Sequence, residues 1–436
     1  MNTLTPIKQD LLQPAKNIED VISICDPRRP LSSGEEINAF YVDRGSTVRD
    51  EIRLQLEIND LKRGIPVKFL LTGHKGSGKS TELNYLCNEI SDRYFIVKVG
   101  FGLRPDISHV DIIVKAAMAL LTNATDQKVI NRTAVQIAEG TLDKFLSFIQ
   151  NTVLGGLPYR ENFDASSGLN IKINALGLEF EGKYEAEASS RDKIRANAEN
   201  KLHEYISYIN ELSEKVRETY GKNVLFVFED TDKLDIDAAK QLFYNRTRAL
   251  TEFFPSAIYL FPIGLRYATE FANIQQYFNN AYCLDNIKTH HRNGEKYTEG
   301  WEILQKFVRN RISTNLITDS AEEKIIAASG GLVRSLIQLL SSAALSALAK
   351  ERYRIEDADA DRAIVRLRGE FIARLKDEDY ALLKERYESK RLSGNISIQN
   401  LLQSLALLEY ANGGDPWCDV HPAILPTVLE RTKRNV

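Results

Sequence analysis

The segment Gly73-His74-Lys75-Gly76-Ser77-Gly78-Lys79-Ser80 satisfies the pattern Gly-x-x-x-x-Gly-Lys-Ser in full. Glycines at these positions let the backbone curl so that successive N–H groups point inward at phosphate oxygens. The positive end of a following helix adds to that pull. Lys79 would bridge the β- and γ-phosphates, and Ser80 would offer its hydroxyl to Mg²⁺. The whole loop, Gly73–Thr81, reads as nucleotide-binding. Such a loop needs an acid at the end of a neighbouring strand to hold the metal shell and orient water. The apolar run Val224–Phe228, closed by Glu229 and Asp230, supplies one. Glu229 is assigned to the metal and Asp230 to polarising the attacking water, with the two roles exchangeable. Asp232 is a third candidate.

Strands must deliver these residues to one place. The run Val67–Leu71 is of strand length and is bounded by Pro66 and Gly73. A helical pattern covers Thr81–Ile90, and a β-rich run covers Tyr94–Val99. Strand, glycine loop, helix and strand in that order open a parallel α/β domain. The pattern is interrupted over 104–222, read as an insertion with helices at Asp111–Leu121 and Ala134–Val153. Within it, Leu169, Ile171 and Ile173 alternate, and Leu178 and Phe180 resume on the opposite parity. That switch predicts β-structure with a turn or bulge near Ala175–Gly177. A long charged helix follows, with Ile194, Ala198, Leu202, Tyr205, Ile209, Leu212 and Val216 on one stripe. Strands resume at Val224–Phe228 and Ile258–Ile263.

Beyond residue 285 the strand signal fades into helices at Glu302–Ile312, Ala321–Ala328, Val333–Leu348 and Asp357–Leu375. The end of the chain reads as two helices (Tyr380–Tyr387, Ile398–Ala406) and a hairpin of Leu407–Tyr410 and Trp417–Val420 about the turn 412–415. The expected fold class is α/β: a P-loop NTPase parallel sheet with a large, mostly helical insertion, a helical lid and a C-terminal winged-helix-like domain. The expected division is a loosely ordered lead-in (1–40), an NTPase core (41–285), a lid (286–376) and the winged-helix-like domain (377–436).

Composition narrows the setting. The 436 residues are 43% hydrophobic and 27% charged, as in a globular protein, and the formal charge of −3 gives no overall pull towards nucleic acid or an anionic membrane. The four cysteines, Cys25, Cys87, Cys283 and Cys418, lie far apart without metal-ligand spacing, which favours buried thiols in a reducing compartment. No apolar run approaches the ~20 residues that a membrane span needs, and the first twenty residues lack the pattern of a signal peptide. The expected location is the cytoplasm.

With the loop and acids placed, the chain resembles the AAA+/STAND branch of P-loop ATPases over most of residues 38–436, and in particular its origin-recognition-like members. The resemblance implies ATP with Mg²⁺ as ligands. Phe40-Tyr41-Val42-Asp43-Arg44-Gly45 is similar to the aromatic–aliphatic–Gly-Arg box that contacts base and ribose in that branch, which implicates Arg44, although Asp43 stands where glycine is usual. Ser329-Gly330-Gly331-Leu332-Val333-Arg334 looks like the sensor 2 element of the lid, so Arg334 would reach the γ-phosphate. The proline common in STAND proteins is absent there. Cys418-Asp419-Val420-His421-Pro422 is similar to the Met-His-Asp motif whose histidine touches the diphosphate, with Pro422 in place of the acid. The strand Ile258–Ile263 should end in a polar sensor 1 residue, and Arg266 is the nearest. Arg246, Arg248 and Arg292 are possible arginine fingers.

Three functions fit. The first is an ATP-hydrolysing switch that couples nucleotide state to lid and winged-helix movement and to assembly, with a separately encoded effector or sensor partner or as a homo-oligomer. Relatives of this layout also serve in anti-phage defence. The second is a DNA-associated loader binding duplex through the winged helix; Arg386, Lys390 and Arg391 form a compact basic group in that segment. The third is a nucleotide-binding scaffold without turnover.

Overall fold

The structure is a computed structural model that describes residues 11–102, 104–126, 144–145, 147–151, 169–186, 188–411 and 414–433. Five apolar runs form its central sheet: β1 (Lys68–Thr72), β2 (Tyr94–Val99), β3 (Asn223–Phe228), β4 (Ser256–Leu260) and β5 (Asn280–Cys283). All neighbours are parallel, in the order β2-β3-β4-β1-β5. β1 and β4 are buried at every position because helices cover both faces. One face packs on the helices His109–Asp126, Leu202–Tyr220 and Ile236–Phe243 through Phe226, Phe228 and Tyr259. The other face packs on Lys79–Ile90 and Val48–Gln55 through Phe69, Leu71 and Val227.

A third core unites the helices Thr298–Arg309, Asp319–Ser329, Val333–Leu348 and Asp357–Ile372 with the C-terminal segment. That segment has two helices (Asp377–Ser389, Ile396–Gln403), an antiparallel hairpin of β6 (Leu407–Tyr410) and β7 (Trp417–Val420), and a last helix, Leu425–Lys433.

Three expectations need correction. Residues 169–186 form one helix, Leu169–Ala186, not a β-hairpin. Leu176, Phe180 and Tyr184 recur every fourth residue and are buried, and the last two rings stack at 5.4 Å. A spacing of four satisfies period 2 as well as one helical face, and tertiary packing on His109–Asp126 selects the helix. Within 1–40, residues 11–40 are not a loose lead-in. Helices Ile18–Ile24 and Gly34–Phe40 bury Ile18, Val21 and Phe40 in the third core, and the polar Asn17 and Ser33 are their N-caps. Finally, β4 stops at Leu260, and Pro262 starts a short helix, Ile263–Arg266, because proline has no N–H to continue a ladder. The expected helix Ala134–Val153 and the turn at Asn412-Gly413 lie largely outside the described residues.

The Gly330–Gly331 turn fixes the start of the helix Val333–Leu348. Its glycines have φ of 60° and 79°. The Gly330 carbonyl accepts from Asn286 Nδ2 at 2.6 Å and from the Tyr410 hydroxyl at 2.8 Å. A Cβ on Gly331 would lie 1.7 Å from the Ile287 carbonyl oxygen. Gly331→Ala is therefore expected to lower stability by roughly 2–4 kcal/mol, read as a drop in thermal midpoint. Gly294→Ala has a similar φ of 89° but open space around it, and should cost about 1 kcal/mol.

Candidate nucleotide site

The glycine loop leaves β1 at Thr72 and enters the helix Lys79–Ile90, as the strand–loop–helix reading requires. Gly73, Gly76 and Gly78 have φ of 140°, 89° and 104°, a path that side chains would obstruct. Lys79 is buried. Its Nζ donates to the carbonyls of Gly73 (2.7 Å) and His74 (3.0 Å) and lies 2.9 Å from Asp232 Oδ2. A cavity of about 340 Å³ opens over the loop at the carboxyl ends of the strands. Lys75 to Thr81, Arg44, Glu229, Asp230, Asp232 and Arg334 all line it. Gly73 and His74 do not line it.

The acids at the end of β3 separate into distinct environments. Glu229 is partly buried, and its carboxyl is pushed up mainly by burial, opposed by the charge of Lys98. Asp230, in left-handed backbone at φ 72°, turns its carboxylate to the start of the insertion. It accepts from the N–H groups of Phe101 (3.1 Å) and Gly102 (2.8 Å), and from Lys233. Asp232 faces Lys79, and its Oδ1 is buried without a hydrogen-bond partner.

Arg44 reaches the loop from the N-terminal side. Its Nη1 donates to the Ser77 carbonyl at 2.6 Å, while burial, countered by Glu82, lowers its pKa. Glu82 also accepts from the Tyr41 hydroxyl at 3.1 Å, so the box 40–45 is moored to the loop's own helix. From the other side, the backbone N–H of Arg334 donates to the Gly76 carbonyl at 3.0 Å.

Two carried-over residues lie elsewhere. Arg266 pairs with Glu409 at 2.9 Å, outside the cavity lining, because Pro262 ends the strand and turns the chain away. His421 is fully buried beside Phe371, with Nδ1 accepting from Ala423 N at 3.2 Å, and does not line the cavity. The histidine that links loop and hairpin is His74, whose Nε2 accepts from Glu409 N at 2.6 Å. Of the three finger candidates, Arg246 and Arg248 line a separate open pocket and Arg292 reaches Ser389 O on the surface. Sequence reasoning also missed the N-terminal wall of the cavity, Asp26–Leu31, and Arg311. Asn84 on the loop's helix holds that wall by donating to Leu31 O at 2.7 Å. Its only sequence signal was a pair of arginines between prolines.

The residues present fit a nucleotide with Mg²⁺. The cavity presents eight lysines and arginines against five carboxylates, and Ser77 Oγ and Asp232 Oδ1 are buried without partners. A parallel sheet with this loop at its carboxyl edge defines the class: an α/β fold of the P-loop NTPase kind. No protein-family model and no curated protein matches the sequence. Among solved structures, the chain is similar to a Walker-type ATPase of Pyrococcus abyssi (14% identity, 93% of this chain and 99% of the other, TM-score 0.46). It is also similar to Cdc6p from Pyrobaculum aerophilum (12%, 95% and 98%, TM-score 0.38). A third is the Aeropyrum pernix Orc1 protein in complex with DNA (12%, 92% and 97%, TM-score 0.40). Among the described residues no helix is long and apolar enough to cross a membrane.

Burial pushes both His74 and His421 down to about 3. Each stays neutral in the folded chain but takes up a proton on unfolding below its ordinary value of 6.5, so each costs stability as pH falls from 6.5 towards 3. Wild type should therefore lose about 1.4 kcal/mol per pH unit relative to His421→Asn over that window, measured by urea unfolding at several pH values.

Proposed function

We propose that this chain is a Mg²⁺-dependent, ATP-hydrolysing switch that relays the state of its phosphate loop to the helices beyond residue 285 and to the C-terminal hairpin. One observation carries the reading. The loop's own mid-section is held by both of those segments, Gly76 O by Arg334 N and His74 Nε2 by Glu409 N. A change at the phosphates would therefore act directly on both.

In this reading Lys79 takes the β- and γ-phosphates and Arg334 approaches the γ-phosphate. Ser80 and Glu229 hold the Mg²⁺, which when bound neutralises phosphate charge. Among the described residues the Glu229 carboxylate accepts no hydrogen bond, which suits it to metal or water. Asp230 is already committed to two backbone N–H groups and Lys233, which supports a positioning role. Asp232 keeps Lys79 in register.

A protein partner or a second copy suits the surface better than duplex DNA. Within the basic group of the C-terminal segment, Arg386 pairs with Glu385 and Lys390 with Asp419. Cations already neutralised release few counterions from a phosphate backbone.

Lys79→Ala should weaken ATP binding by about 100-fold or more. Glu229→Gln should keep ATP affinity within about threefold and lower turnover about 100-fold. Calorimetry and phosphate release check the two arms. A wild type that binds ATP yet releases no phosphate, alone or with a co-purifying partner, would replace the switch with a scaffold.

A further inference from the structure

Besides its charged groups, the cavity is lined by Ile24, Leu31, Val42, Phe307, Val333 and Ile337, which belong to one apolar cluster. A flat base fits such walls, and polar groups there would have to read its edge. Most of the nearby arginines are committed. Arg28 pairs with Asp26 at 3.0 Å, Arg29 pairs with Glu36, and Arg44 donates to Ser77 O. Arg311 differs. It lines the cavity, is only 3% exposed, and has no carboxylate paired with it among the described residues.

Its guanidinium lies over the rings of Phe40 and Phe307, 5.3 and 5.5 Å from their centroids. Nη1 donates to the Phe307 carbonyl at 3.2 Å. That commitment leaves the edge formed by Nε and Nη2, whose N–H groups lie in a fixed fork. The residue is held on both sides of its Cα, because Arg311 N donates to Val308 O at 2.9 Å and Arg311 O accepts from Ala15 N at 2.8 Å. Burial without an anion lowers its pKa to about 10, and a buried cation lacking a counter-charge is costly unless an acceptor meets it.

Resting on the nucleotide reading above, we infer that Arg311 is the base-reading residue of this site, its free donor edge meeting a ring nitrogen of the purine. A donor-only group can meet only acceptors, and N1, N3 and N7 are the ring acceptors of adenine. The phosphate loop would then supply affinity for the triphosphate, and Arg311 selectivity for the base.

Calorimetric titration of the full chain with ATP, tripolyphosphate and 1-, 3- and 7-deaza-ATP tests this. In the wild type at least one deaza analogue should bind about tenfold more weakly than ATP. In Arg311→Met, ATP itself should weaken about tenfold, the deaza penalty should vanish, and tripolyphosphate should bind as before. Three deaza analogues that bind the wild type as ATP does would overturn the inference and leave the nucleotide reading standing. A deaza penalty that survives in Arg311→Met would overturn it too. Failure of both ATP and tripolyphosphate to bind the wild type would remove the nucleotide reading and the inference with it. Should Arg311→Met not fold, the wild-type series decides alone.

Discussion

A loop with three left-handed glycines turns its carbonyls and amides away from any strand or helix ladder, and those groups still need partners. Here the partners come from the far parts of the chain. Lys79 takes the carbonyls of Gly73 and His74, Arg334 N takes Gly76 O, and Arg44 takes Ser77 O. Glu409 N closes the set on the imidazole of His74. The eight-residue turn is thus held on its backbone by Arg44, Arg334 and its own Lys79, and through the His74 side chain by the segment near residue 409. The geometry of the loop and the placement of the outer helices are a single constraint.

The electrostatics follow from the same enclosure. A cluster of cations over a parallel sheet is costly unless acids or a ligand answer it. Asp232 answers Lys79, Glu82 answers Arg44 and Arg49, and Glu409 answers Arg266. Burial raises the carboxyl pKa of Glu82, Glu229 and Glu409. Of these acids, Glu82, Glu229 and Asp232 line the cavity and offset its positive charge. The arginine without such an answer, Arg311, stands against the rings of Phe40 and Phe307.

The sheet and its loop were legible in the sequence because each is contiguous. Five-residue apolar runs such as Phe69–Leu71 with their flanks, and the eight residues from Gly73, carry their meaning locally. What was not legible depended on contacts across the chain. The parity switch at Leu178 looked like a turn because the periods 2 and 4 coincide over short runs, and only packing decided for the helix. The caps Asn17 and Ser33 looked like loop residues because a cap is polar by nature. His421 matches a family motif by its place after the hairpin, yet the histidine that joins loop and hairpin, His74, lies 335 residues from its partner. No local signal marks such a pair.

Asp230 shows why strand-end acids resist assignment from sequence. Two adjacent carboxylates after an apolar strand are chemically alike until the backbone turns one of them. The left-handed turn at Asp230 aims its oxygens at the N–H groups of Phe101 and Gly102, where the chain leaves β2 for the insertion. Lys115, from the first helix of that insertion, holds Gly100 O at 3.0 Å beside it. The root of the insertion and the end of β3 therefore form one hydrogen-bonded corner. Glu229, one residue earlier, keeps β3 register through its N–H to Val99 O at 2.9 Å and leaves its carboxylate to the cavity. One acid is bound into the scaffold while the other faces the cavity.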